Sequence, residues 1–172
     1  GEQASELQVD SWDLALTARG LLDAAEMLGA RFQLIATNFP FLGIEKQIES
    51  LRDYVKEAHP EGYRELAIAF ILRSKSLLDS SGFLAVVTPG EWTFLRPHRH
   101  FRDYLLRQSR LRVICKLGWG AFSSGIRAQP VLMISDPNVG AGQAHEVSYI
   151  ELDNDAAESK ESQLLSADIR LR

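Results

Sequence analysis

The chain has one cysteine, two methionines, four scattered histidines and no long uninterrupted apolar stretch. A single thiol, Cys115, excludes an internal disulfide and fits a reducing compartment. Its setting, LRVICKLG, reads as an apolar strand, so Cys115 is expected to pack in a core rather than act as a nucleophile. No apolar run reaches the roughly 18 residues that a membrane-spanning helix needs. The first ten residues, GEQASELQVD, are acidic and polar, unlike the basic start and apolar middle of a secretory signal. The expectation is a cytoplasmic protein without membrane association. Metal-ligand spacing is also missing. His98 and His100 stand two apart, which on a helix points them to different sides, and His59 and His145 are isolated, so surface or turn histidines are expected and no metal site.

What is present is a globular composition: 45% apolar and 24% charged residues over 172 positions, enough for one domain core or a piece of a larger one. The net charge of -4 argues against indiscriminate nucleic-acid binding, but the average conceals polarity. Residues 96–112, RPHRHFRDYLLRQSRLR, carry six arginines and two histidines against one aspartate, whereas 151–161, ELDNDAAESKE, carry five acids against one lysine.

Hydrophobic periodicity predicts helices over 11–29, about 45–58, 62–79 and 97–109, with Pro97 suited to a first turn. Short apolar runs predict strands at 32–37, 83–89, 112–118, 129–135 and 146–152. The tail, 153–172, is polar, with a weak helix near 155–165. Apolar strands separated by amphipathic helices indicate an α/β sheet covered on both faces. The later strands follow one another without a helix between them, which predicts an antiparallel hairpin closing one edge. The domain expectation is a core over 1–152 and a tail over 153–172.

In such sheets, functional groups gather at the carboxyl ends of strands. Two sequences end strands here: Asn38-Phe39-Pro40-Phe41 and Thr88-Pro89-Gly90-Glu91-Trp92. Asn38 offers an amide acceptor. Pro40 confines Phe39 to extended backbone, and Phe41 follows as a flat apolar ring. An amide acceptor beside an aromatic platform suits an amino-bearing heterocycle, and enzymes that act on nucleobases take the base out of the duplex into such a pocket. The bland alternative is that Asn38 merely starts a turn and both rings pack in the core. For the basic segment the alternatives are a solvated helix face or phosphate contacts through Arg99, Arg102 or Arg107. Trp92 and Trp119 are expected to be packing residues. The glycines of LGWGAF (117–122) and VGAGQA (139–144) read as turn glycines rather than nucleotide loops.

The segment FQLIATNFPFLG (32–43) resembles motif IV of the adenine-specific, S-adenosylmethionine-dependent DNA methyltransferases, in which a strand ends in Asn/Asp-Pro-Pro-Tyr/Phe. The helix, glycine and strand that follow are similar to those of the large restriction-modification and phage-exclusion type. The matching positions are Glu65-Leu66, Leu77-Leu78, Gly82, Thr88-Pro89 and Trp92, and LGWGAF also resembles a segment of that group. The likeness covers roughly residues 30–135. It implies a partial Rossmann-like class I methyltransferase sheet, from motif IV onward. It implies transfer of a methyl group from S-adenosylmethionine to a flipped adenine in double-stranded DNA, within a restriction or phage-defence complex. Asn38 and the carbonyl of Phe39 would accept from the adenine amino group and Phe41 would stack on the base, making Asn38, Phe39, Pro40 and Phe41 the catalytic set.

The sequence departs from that pattern twice. Phe39 replaces the first proline, and the aromatic-x-Gly-x-Gly cofactor loop expected upstream of motif IV is not found. The chain therefore reads as the C-terminal half of a methyltransferase core, inactive by itself, with cofactor residues unknown. The alternatives are the same fold kept as a catalytically impaired DNA-binding or scaffolding module, or an amino-group methyltransferase acting on RNA or protein.

Overall fold

The computed structural model describes residues 2–122, 128–136, 146–152 and 157–165. The chain forms two compact units, residues 1–31 and 32–172. The first is helix α1, Glu2–Gly29. It starts well ahead of the expected position because the acidic, polar residues 2–10 contain no proline or glycine to stop it. Among the described residues no helix is long and apolar enough to cross a membrane.

The second unit is built on strands β1 (Phe32–Asn38), β2 (Leu78–Pro89), β3 (Arg110–Lys116), β4 (Pro130–Asp136) and β5 (Ser148–Glu151). Helices α2 (Glu49–Ala58), α3 (Leu66–Lys75), α4 (Arg99–Gln108) and α5 (Ala157–Leu165) complete it. The strand order is β1-β2-β4-β3-β5. β1 runs parallel to β2 and β3 parallel to β5, while β4 is antiparallel to both of its neighbours. The expected antiparallel pair is β3–β4. It lies one strand in from the margin, because the short β5 returns alongside β3.

The sequence places the break after α3 too late. The helix stops at Lys75, and Leu78 already pairs with Phe32, so the Ser-Ser-Gly stretch belongs to β2. Between the Phe32–Leu78 and Leu34–Phe83 pairs, β2 takes up extra residues in an irregularity of the ladder. Beyond it the period-two alternation is regular. Leu84, Val86 and Thr88 face inward with Val131 and Met133 of β4, against Ile68, Ile71 and Leu72 of α3 and Phe101 and Leu105 of α4. A second irregularity between Leu111 and Val113 changes the phase of β3. Leu111 therefore joins this core, while Cys115 takes the opposite face, where it is enclosed and burial pushes its thiol up.

β1 differs from its expectation as a buried strand. It stands at the margin of the sheet and Leu34 is 61% exposed. Its composition is that of an interior strand, but the described residues supply no strand beyond it.

The far ends of α3 and α4 are joined by Lys75, whose ammonium donates to the carbonyl of Gln108 and sits 4.7 Å over the Tyr104 ring. Burial lowers its pKa to about 8 from 10.5, and burial also raises that of Tyr104. Below pH 8 both folded and unfolded chains hold the lysine proton, and the cost of burying the charge is fully present. Between 8 and 10.5 the folded state releases a proton that the unfolded state retains, so this group adds stability as the pH rises. Urea unfolding of Lys75→Met at pH 7.5 and 9.5 is expected to lack the upward component seen in the parent sequence; equal pH dependence in both proteins would contradict it.

Candidate functional site

The site is built where β1 and β2 end side by side. The Asn38 backbone pairs with Val87, and the Phe39 amide donates to the Val87 carbonyl at 3.3 Å, carrying the alternation one residue past the strand. Asn38 is thus exposed, Phe39 is 8% exposed, Pro40 is exposed and Phe41 is half-buried. Phe39 lies in the core on Phe70 of α3, the rings 5.3 Å apart and 10° from parallel. That is where the ring standing in the first proline's position is accommodated. Of the two phenyl groups, Phe39 alone packs wholly inside. Phe41 meets the edge of the Phe122 ring, at 6.3 Å and 67°.

The turn after Phe41 is fastened to the start of α3. The Glu65 carboxylate accepts from the Leu42 amide at 2.7 Å. The Leu66 amide donates to Leu42 O at 3.1 Å, and the Ile44 amide to Arg64 O at 2.9 Å, closing a short bridge between Gly43 and Glu65. Gln47 adds a bond from its side-chain amide to Leu42 O. One helix therefore holds the motif twice, through the 39%-exposed Phe70 that covers the Phe39 ring and through Glu65 at its end.

β2 ends in a second fixed turn. The Trp92 indole donates to the buried Thr88 hydroxyl at 2.9 Å and packs edge-on against Phe101. The Gly90 amide donates to Gln129 O, which lies 2.5 Å from where a Cβ would stand, so only glycine fits that approach. Arg102 donates to the carbonyls of Trp92 and Leu95, each at 2.7 Å, and so braces this turn from α4.

Between the two turns lies a cavity of about 460 Å³ whose walls include Phe41, Arg64, Glu65, Glu91, Trp92 and His98. Burial raises the Glu65 pKa, opposed by its backbone hydrogen bonds and aided by Glu91 and Glu45. Burial lowers that of His98, as do Arg102 and Arg64, against Glu91. The cavity thus presents an imidazole biased toward its neutral form and a carboxyl group already engaged by backbone. Glu65, Glu91 and His98 were not singled out from the sequence as site residues. The acidic-Leu helix start was the available signal for Glu65; nothing in the chain order signals that His98 and Glu91 meet it.

Of the other sequence-based candidates, Arg99 lies 3.7 Å from Asp103 on the solvent side of α4, and Arg107 is exposed in its last turn. Trp92 is buried as expected. Trp119 is 47% exposed, because it sits between Gly118 and Gly120, whose φ values of 66° and 75° turn the chain outward. Those two glycines are turn residues; VGAGQA and His145 lie outside the described residues. Among the described residues no three His, Cys, Asp or Glu side chains gather as metal ligands.

A mixed sheet with an Asn-Phe-Pro-Phe turn at the end of a parallel strand is an α/β arrangement similar to that of class I S-adenosylmethionine-dependent methyltransferases. The structure superimposes on a Listeria monocytogenes protein described as a class I S-adenosylmethionine-dependent methyltransferase, with a TM-score of 0.56, 15% identity, and coverage of 80% of this chain and 42% of that one. It also matches the DrdV–DNA complex, with a TM-score of 0.71, 15% identity, and coverage of 92% of this chain and 19% of that chain. The chain belongs to the Eco57I restriction-modification methylase family, which it matches over residues 8–122. It is 26% identical over 147 residues to the adenine-specific methyltransferase BrxX of Escherichia coli O9:H4 (strain HS), spanning 84% of this chain but only 12% of that relative.

Two substitutions test how the turn is held. Phe39→Ala removes a nearly buried ring and is expected to destabilise the fold by about 3 kcal/mol in urea unfolding; a loss below about 0.5 kcal/mol, the level of an exposed site, would contradict its placement. Glu65→Ala is expected to raise the hydrogen-exchange rate of the Leu42 amide about tenfold or more, in keeping with loss of a charge-assisted bond. Unchanged exchange would show that the carboxylate does not hold the turn.

Proposed function

We propose that the chain is the motif IV half of an adenine-specific DNA methyltransferase, serving restriction-modification or phage defence in the cytoplasm. The observation that carries this reading is the division of labour at Asn38–Phe41: the amide is exposed at the strand end, the next ring is anchored in the core, and the second ring borders a cavity. Family membership and the likeness to adenine-specific relatives support it.

In this reading Asn38 accepts a hydrogen bond from the adenine amino group, the Phe39 carbonyl accepts the second, and Phe41 lies on the face of the extruded base. Two acceptors raise the electron density on the amino nitrogen and fix its direction, so catalysis is positioning and electrostatics rather than strong-base chemistry. S-adenosylmethionine supplies the methyl group. The Gly-x-Gly at 118–120 is read as a turn rather than as part of its cradle. The cradle is assigned to the rest of the parent, a view supported by the unpaired margin of β1 among the described residues. Duplex DNA is the proposed partner. Arg99 and Arg107 are its proposed backbone contacts; the Arg99–Asp103 pair is exposed and costs little to open. Arg102 acts at one remove, by holding the Trp92 turn.

The substitution of Phe39 for proline favours one other reading, a DNA-binding module that has lost the chemistry. Asn38→Ala in the full-length parent separates the two. Methyl transfer is expected to fall by about a hundredfold or more, as for loss of one preorganised polar contact, with thermal unfolding unchanged because the side chain is exposed. A parent that binds DNA but never methylates it, with or without Asn38, would favour the second reading.

A further inference from the structure

The arginines near the site divide into engaged and unengaged. Arg102 is committed to two carbonyls, Arg112 to Asp136 at 2.7 Å, and Arg99 faces Asp103. Arg64 and Arg96 form no ion pair among the described residues. They come from distant parts of the chain, the turn before α3 and the turn before α4, yet line one cavity of about 460 Å³ together with Tyr63 and His100. Pro60 and Pro97 stiffen its walls. The Arg64 guanidinium lies 5.2 Å over the Tyr63 ring, a contact that leaves its charge unneutralised. One acid, Glu61, stands against the two arginines on the lining. The first turn of α4 opens beside it, and its backbone amides add positive potential.

Arg64 also lines the cavity that holds Phe41, so the two spaces adjoin at this side chain. A nucleotide joins its base to its phosphates through a single sugar. An apolar ring in one space and two free guanidinium groups in the next match that molecule in order.

We propose that Arg64, Arg96 and His100 form a phosphate site for the DNA strand whose base is received at Phe41. The site rests on the reading of Asn38–Phe41 as the base receptacle, and it is distinct from the outer contacts at Arg99 and Arg107. Arg64 supplies a planar fork suited to a phosphodiester, Arg96 adds a second from the same lining, and His100 donates from the helix.

The test uses the 172-residue chain and three probes: inorganic phosphate, deoxyadenosine, and a short adenine-containing single-stranded oligodeoxynucleotide. Inorganic phosphate is expected to shift the guanidinium NMR signals of Arg64 and Arg96. R64Q/R96Q is expected to weaken oligonucleotide binding about tenfold or more and to reduce the salt dependence by about 0.7 in slope for each phosphate no longer neutralised. R19Q/R31Q, an equal charge removal elsewhere, is expected to do neither. All four side chains are exposed, so the fold is retained, as circular dichroism checks. Oligonucleotide affinity and salt slope of R64Q/R96Q equal to those of R19Q/R31Q would overturn the proposal, as would phosphate that moves neither arginine signal. Deoxyadenosine separates this from the base reading. If it leaves Phe41 unmoved while R64Q/R96Q still loses oligonucleotide affinity, the phosphate site stands and the base receptacle fails. If it shifts Phe41 while the double variant binds like its control, the reverse holds.

Discussion

The stacking of Phe39 on Phe70 is the constraint from which the geometry of the site follows. In an extended chain successive side chains point to opposite sides. Once Phe39 is drawn into the core, Asn38 and Pro40 face outward, and Pro40 keeps Phe39 in the extended region that this alternation needs. The motif that this segment resembles has a proline at that position, which fixes the backbone by its ring. Here the backbone is fixed by burial of an aromatic side chain, with an offset-stacked partner worth about 1 kcal/mol beyond the area buried. The direction of the neighbouring amide is secured by packing instead of by a covalent ring.

α3 carries both halves of that arrangement. Phe70 holds the inward ring, and Glu65, five residues earlier, holds the turn that follows through the Leu42 amide. The helix is itself set in the core by Ile68 and Ile71, and its more exposed Phe70 covers the Phe39 ring from the outside. Trp92, Thr88 and Arg102 do the same for the second turn. Between two stiff turns the intervening cavity keeps its shape. Burial keeps His98 toward its neutral form and Glu65 toward protonation despite its amide partner.

Much of this was legible in the residues. The apolar runs located all five strands, and the Asn-Phe-Pro-Phe and Thr-Pro-Gly-Glu-Trp endings marked the two turns that border the cavity. The extent of β2 was not legible, because Ser80, Ser81 and Gly82 look like a break until the irregular pairing with β1 is seen. Nor was the exposure of Leu34, since composition reports what a strand is suited to, not whether a neighbour is present. The basic segment shows the same limit. Six arginines in a row of seventeen residues read alike, but one is consumed by carbonyls, one by Asp136, and one remains open beside Arg64, which lies more than thirty positions earlier. Hydrogen-bond partners distant in the chain decide which charges remain available, and no local pattern records them.

The account is tested most directly by the structure of the full-length parent bound to duplex DNA that contains its methylation site. It requires the target adenine outside the helix stack, its amino nitrogen within hydrogen-bond distance of the Asn38 side-chain oxygen, its face against Phe41, and Phe39 still resting on Phe70. An adenine held elsewhere, or an Asn38 amide turned away from it with Phe39 displaced from the core, would contradict it.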